Sequence, residues 1–116
     1  WPHATSNGRA MLAVLTDEEW QQRVPQKLPA VSRNSPQTHE ELIERIQRIR
    51  ETGRSCSSDE TYEGVSSQGI AFRDPDSLEV IGVAISYPTG LGTAELKDKI
   101  AGLLDDMKRE LERHSS

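Results

Sequence analysis

Short apolar runs alternate with polar turn residues in the N-terminal third of the chain. A polar segment at residues 5–8 precedes the Ala- and Leu-rich stretch at residues 9–15, and this order predicts a helix start. Thr16 and Glu19 have the spacing of a capping box, which predicts a second, short helix from Asp17 to about Arg23. The prolines beyond it predict a loop.

Two later stretches carry apolar residues three and four positions apart, which is typical of amphipathic helices. The first follows a second capping-box sequence, residues 38–41, and ends near Gly53, which suits the left-handed conformation of a helix end. Thr93 is placed to cap the second. The apolar positions are Leu42, Ile43, Ile46 and Ile49 in the first helix, and Leu96, Ile100, Leu103, Leu104, Met107 and Leu111 in the second.

Between these helices, two runs show the alternation of β-strands. They span residues 65–72 and 78–87, and the Asp-Pro-Asp-Ser sequence between them favours a turn, so we expect an antiparallel hairpin. One face of this hairpin, here called the small face, has almost only small side chains. Its members are Ser67, Gly69, Ala71, Gly82, Ala84 and Ser86.

The small face has two interpretations. A helix or another chain packed closely against it would need small residues there. Alternatively, the face lines a ligand cavity floored by the hydroxyls of Ser67 and Ser86. The pattern alone favours packing.

Composition and charge narrow the class of protein. The chain has 116 residues and a net charge of −5, which disfavours direct binding to a nucleic-acid backbone. The excess of negative charge lies in residues 59–79, which contain six acidic residues and one basic residue. No apolar run reaches the ~18–20 residues of a membrane span, so we expect no membrane contact. A single cysteine favours a reducing compartment, and we expect a cytoplasmic protein.

Few residues indicate catalysis or metal binding. The three histidines lack metal-ligand spacing, so no metal or cofactor is expected. Cys56 is expected to be a buried, unreactive thiol. Asp59 and Glu60 fit a solvated acidic loop, with hydrogen bonding to a ligand hydroxyl as the alternative. We therefore do not expect an enzyme.

Several segments together resemble the isocitrate-lyase-regulator (IclR) family of bacterial transcription regulators. Residues 3–13 (HATSNGRAMLA) are similar to the family's H-A-T/S-x-x-G-K/R-A-x-L-A stretch. The helix from Leu42 to Gly53 stands where the family has an L-x-x-x-L-x-x-x-R-x-x-G pattern. Residues 59–71 resemble the acidic G-V-x-x-x-A-x-P segment, and residues 83–88 the A-x-S-x-S-G-P strand.

This resemblance implies an α+β fold, a GAF- or profilin-like effector-binding domain with an antiparallel sheet flanked by helices. Residues 1–116 would form the C-terminal portion of that domain. The N-terminal part of the domain and the winged helix-turn-helix that binds DNA would be absent from this chain. The family also implies a dimer or tetramer that binds DNA only through the missing N-terminal domain, and a small, often carboxylate, effector.

The resemblance also implies where the effector binds, and it makes a ligand cavity, rather than packing, the favoured interpretation of the small face. It assigns backbone N–H groups of Ser6 and Asn7 to an effector carboxylate, places Ser67 at a small pocket position, and matches Ser86 to the second serine of the strand motif. Ala84 replaces the first serine, and Ser57 stands where many members have an acid whose role Asp59 or Glu60 would take. The full predicted set is Ser6, Asn7, Gly8, Ser57, Asp59, Glu60, Ser67, Ala84 and Ser86.

A second function stays open at this point. The chain would then be a subunit-interaction module without a working pocket, in which apolar positions of the last helix such as Leu104 or Leu111 contact another subunit. A small face covered completely by a helix or a partner would favour this alternative.

Overall fold

The computed structural model describes residues 2–29, 34–58, 64–74 and 76–114. Within these ranges, four helices and three strands follow one another in an α+β arrangement. They are α1 (Ser6–Val14), α2 (Asp17–Arg23), α3 (His39–Thr52), β1 (Ser55–Ser58), β2 (Val65–Arg73), β3 (Val80–Pro88) and α4 (Ala94–His114), with a short 3₁₀ turn (Thr89–Leu91) before α4. None of the helices in these ranges is long and apolar enough to cross a membrane.

The three strands form an antiparallel sheet in the order β1-β2-β3. The register aligns Ser67, in the middle of β2, with Ser57 on one side and Ser86 on the other. Side chains aligned across antiparallel strands lie on the same face. The predicted hairpin is thus confirmed, and β1 adds a strand to its β2 edge.

Helices cover both faces of this sheet, as expected for the fold class. α1 packs on the small face and also contacts α3, whereas α4 packs on the opposite face. A cluster of buried apolar side chains joins α1, α2 and α3; its members are Leu12, Leu15, Trp20, Val24, Leu28, Leu42 and Ile46. A smaller one joins the sheet to α4 through Ile70, Ile100 and Leu104.

Glycine allows α1 to lie directly on the sheet. A Cβ atom built on Gly69 would come within 3.1 Å of the Ser6 carbonyl oxygen and 3.3 Å of the Asn7 nitrogen. Side chains of the same helix lie over Gly82, since a Cβ atom there would be 2.8 Å from Met11 Cγ. In its central part the small face is therefore packed against α1, and the expected ligand cavity is wrong there, because helix atoms fill that space.

The helix ends follow the predicted caps closely. Thr16 and Glu19 form the complete capping box, and Gly53 has φ 81° at the end of α3. Thr93 Oγ1 accepts from the amide of Leu96 at 3.1 Å. The second capping box is only half formed, because the Glu41 carboxylate accepts from the Gln37 amide rather than from Thr38.

The apolar face of α4 differs from the expectation in one respect. Leu104 has no exposed surface, because it packs against Ile70 of the sheet, and so it is not available to another subunit. Among the described residues of this helix, the large apolar side chains that are exposed are those of Leu103 and Met107, at 56% and 39%.

Two arginines tie α2 to the rest of the domain. Arg73 of β2 donates to the Glu19 carboxylate at 2.8 Å, and Arg50 of α3 reaches Asp17 at 2.9 Å. Arg50 also donates to the carbonyls of Ala13 and Leu15, at 3.0 and 2.8 Å. The hydrogen bond from Arg73, together with one from the Thr16 amide, lowers the pKa of Glu19 to about 2.

Replacing Gly69 with valine should destabilise the domain by about 2 kcal/mol or more, because α1 backbone atoms would have to move away from β2. Chemical denaturation of Gly69→Val measures the effect. Gly90→Val is the control, since a Cβ at Gly90 would meet nothing within 4 Å. Equal stability of the two variants would contradict this account of the small face.

Stability should fall in acid partly through Glu19. The folded state holds this carboxyl below its usual pKa of 4.5, so the ion pair contributes fully above pH 4.5 and is lost as the pH falls toward about 2. Glu19→Gln should reduce the acid dependence of unfolding relative to the unchanged protein. Denaturation curves across this pH range, with Glu18→Gln as control, test the assignment; a slope unchanged by Glu19→Gln would refute it.

Candidate functional site

Three serines meet where α1 lies on the sheet. Ser67 Oγ is 2.5 Å from Ser6 Oγ and 2.7 Å from Ser57 Oγ. Ser6 belongs to α1, Ser57 to β1 and Ser67 to β2, so the contact joins three elements. The structure therefore brings together three of the predicted effector-binding residues as one chain of hydroxyl groups, here called the serine chain.

The serine chain ends at the first turn of α1. Thr5 is the N-cap, and its carbonyl accepts the first helical hydrogen bond, from the Arg9 amide at 3.0 Å. Ser6 and Asn7 occupy the first two helical positions, where backbone amides have no carbonyl one turn earlier. These N–H groups and the positive end of the helix dipole favour an anion nearby.

Gly8 has a structural role at this helix start. Its amide donates to Thr5 Oγ1 at 2.9 Å, so that N–H is already used by the cap. A Cβ at Gly8 would lie 2.4 Å from the Pro2 carbonyl oxygen. Any larger residue would therefore displace the turn that precedes α1, and we assign Gly8 to this close approach rather than to an effector.

Asn7 places a polar atom above β3. Its Oδ1 is buried and has no hydrogen-bond partner among the described residues. A Cβ on Gly82 would come within 2.3 Å of this oxygen, so the side chain lies close to the backbone of that glycine. A buried acceptor without a donor costs about 1–3 kcal/mol, and a ligand hydroxyl or ammonium group would remove that cost.

The remaining predicted residues lie apart from the serine chain. Ala84 and Ser86 are exposed on β3, on the same face as Ser67. Asp59 and Glu60 lie outside the described residues, so their predicted role stays a prediction. Among the described residues, no group of three His, Cys, Asp or Glu side chains could hold a metal ion.

A polar cavity of about 400 Å³ lies at the β1 edge of the sheet, next to α4. Its walls include Ser57, Gln68 and Tyr87, together with Arg54 and Lys97. Gln68 Nε2 donates to the Lys97 carbonyl at 3.0 Å, and burial raises the pKa of Tyr87. Gln68 and Tyr87 were not predicted as site residues, although Gln68 is a polar residue on the strand face that carries Ile70 and Phe72.

Two further expectations concern single side chains. Cys56 is exposed, contrary to the expected buried thiol, because it lies on β1 at the edge of the sheet. His3 is buried and its Nε2 donates to the Pro29 carbonyl at 2.8 Å, a structural hydrogen bond that joins the turn before α1 to the loop after α2.

The α+β fold, a three-stranded antiparallel sheet with helices on both faces, matches solved structures of IclR regulators. A family model described as the bacterial transcriptional regulator IclR C-terminal matches residues 2–113, so the chain belongs to this family.

Known proteins of this kind are similar over much of the chain. The HTH-type transcriptional regulator Rv1719 of Mycobacterium tuberculosis is 28% identical over 86 residues, which are 74% of this chain and 33% of that protein. The crystal structure of an IclR transcriptional regulator from Alicyclobacillus acidocaldarius has a TM-score of 0.87 at 22% identity, over 98% of this chain and 46% of that one. A PobR inducer-binding domain from Acinetobacter, described as a double mutant in complex with 3-hydroxybenzoic acid, has a TM-score of 0.78 at 22% identity, over 96% of this chain and 66% of that one. The chain thus spans a third to a half of the longer regulators.

Replacing Ser67 with alanine should destabilise the domain by about 1–3 kcal/mol, because the buried hydroxyl of Ser6 would lose its partner. Denaturation of Ser67→Ala measures the loss. Ser86→Ala is the matched control, since that serine lies opposite Ser67 in register but is exposed. A smaller effect for Ser67→Ala than for the control would show that the serine chain does not bear on stability.

Proposed function

We propose that this domain senses a small anionic metabolite, of which a carboxylate is the favoured form, and thereby modulates DNA binding by the full-length regulator. The observation that carries the proposal is the serine chain ending beside the first two residues of α1. The serine chain holds the first turn of α1 against β2, so the helix-end amides lie on the same face of the sheet as Ser86. We assign the domain no catalytic role and a cytoplasmic location, in keeping with its relatives' role as transcription regulators.

The effector would bind beside β3, where part of the small face is open. α1 covers Gly69, whereas Ala84 and Ser86 stay exposed. A carboxylate there would accept from the Ser86 hydroxyl and lie near the Asn7 end of α1. The acceptor Oδ1 of Asn7 would pair with a hydroxyl group of the same ligand, so a hydroxy acid suits the site better than a simple acid.

The ligand reported for a structural neighbour agrees with this chemistry. 3-Hydroxybenzoic acid, the compound in the PobR complex, carries one carboxyl and one hydroxyl group. Two substitutions in this chain remove polar partners, since Ala84 and Ser57 replace a serine and an acid of the family pattern. We therefore expect modest affinity, micromolar or weaker, which corresponds to about 8 kcal/mol or less of binding free energy.

The mechanism would be a shift between two arrangements of subunits in a homodimer or homotetramer. A ligand that binds one arrangement more tightly raises its population, and DNA affinity changes by the same coupling free energy. DNA contacts would come from a winged helix-turn-helix that precedes this domain. The net charge of −5 makes the present chain itself a poor partner for DNA.

The alternative function, subunit interaction without a working pocket, also has an observation in its favour. α1 fills the centre of the small face, and α4 exposes Leu103 and Met107 one turn apart. Ala84 and Ser86 are exposed in the single chain, so either a ligand or a second subunit would cover them, and their exposure fits both functions.

The thermal stability of the intact protein tests the sensor. Hydroxybenzoates and small hydroxy acids should raise the melting temperature of the unchanged protein, and Ser86→Trp should abolish that rise by filling the site. Ser77→Trp, in the exposed hairpin turn, is the control and should leave the rise intact. If Ser86→Trp responds like the unchanged protein, the site is misplaced; if no acid stabilises the protein, the subunit-interaction function is favoured.

A further inference from the structure

We propose a second ligand site, specific for a phosphate monoester, in an arginine-lined cleft between α3 and β1. The cleft has a volume of about 370 Å³ and four arginines among its lining residues: Arg9, Arg45, Arg48 and Arg54. Among the residues that the structure describes, no acidic residue lines this cleft. It is separate from the effector site proposed on β3 and does not depend on it.

The concentration of positive charge in this cleft is unusual for the chain. The protein has 14 lysines and arginines against 19 acids, yet four of the basic residues line one small cavity. Arg45 and Arg48 lie three positions apart on α3, which places them on the same side of the helix. In the described ion pairs, Glu44 lies 3.6 Å from Arg48 and Asp105 lies 2.7 Å from Arg54, so two carboxylates stand against the four guanidinium groups of the cleft.

Contacts with neighbouring groups orient the guanidinium groups of Arg9 and Arg54 before any ligand binds. Arg9 is 1% exposed, and it donates to the carbonyls of His3 and Cys56 at 3.1 and 2.7 Å. Arg54 is held by the Asp105 carboxylate at 2.7 Å. Arginine side chains fixed in this way lose little conformational entropy when an anion binds.

A buried hydroxyl group at the cleft wall provides a second, independent indication of a ligand. Ser55 is 1% exposed and lines the cleft, and its Oγ is buried without a hydrogen-bond partner among the described residues. A buried hydroxyl left unpaired is costly. An oxygen of a bound anion would accept a hydrogen bond from this hydroxyl and complete the site.

The chemistry favours phosphate over carboxylate and a small molecule over DNA. A phosphate monoester carries up to two charges and three terminal oxygens, enough to accept from several guanidinium forks and one hydroxyl at once. A carboxylate has two oxygens and one charge. The cavity volume falls in the range of small-molecule sites, and the acidic net charge of the chain opposes a DNA backbone.

Isothermal titration calorimetry of the intact protein at constant ionic strength tests this site. The probes are inorganic phosphate, glycerol 3-phosphate, acetate and a short DNA duplex of arbitrary sequence. We expect glycerol 3-phosphate to bind at least about tenfold more tightly than acetate, with inorganic phosphate between them. Ser55→Ala and Arg48→Gln should each weaken glycerol 3-phosphate binding by about three- to tenfold.

Two controls separate the site from general charge and from the effector site. Arg23→Gln removes an exposed positive charge on α2 and should leave binding unchanged, as should Ser86→Trp. Arg48 is largely exposed, so Arg48→Gln tests the site even if Ser55→Ala alters folding. Equal affinity of Arg48→Gln and the unchanged protein, no binding of either phosphate, or cleft-dependent binding of the duplex alone would each overturn the proposal.

Discussion

The approach of α1 to β2 is the contact on which the rest of this domain depends. Because Gly69 has no side chain, the first turn of the helix rests on the strand backbone, with Ser6 above the sheet. That position brings Ser6 to Ser67 and lets Arg9 reach the carbonyl of Cys56. The absence of a side chain at Gly69 therefore helps to position polar groups of both the candidate effector site and the arginine-lined cleft.

Much of the fold follows from local sequence signals. The capping residues Thr16, Thr38 and Thr93 and the glycine at position 53 predict helix ends that the structure confirms, because such signals act within one turn. The hairpin follows from alternation and its turn. By contrast, the burial of Leu104 and the exposure of Leu103 depend on which side of α4 meets the sheet, and adjacent leucines do not distinguish those sides.

The candidate site was predictable only in part. The family resemblance indicated Ser6, Ser57 and Ser67, and the structure joins them by hydrogen bonds, but their role toward an effector stays a prediction. The arginine-lined cleft could not be found from the sequence. Arg9 precedes Arg45, the first cleft residue of α3, by 36 positions, and no motif links the two. Only the tertiary fold brings them together. The same holds for the hydroxyl of Ser55, which is buried without a partner in the described part of the chain and whose burial no local pattern encodes.

The exposed thiol of Cys56 is a site at which this domain can be labelled covalently with a probe. Cys56 lies on the short strand β1 and lines both the arginine-lined cleft and the cavity beside α4. The chain has one cysteine, so a fluorophore or spin label coupled to it would report from one defined position without any engineered substitution. Its emission or mobility would record the occupancy of the two neighbouring spaces, which makes this edge of the sheet directly observable in solution.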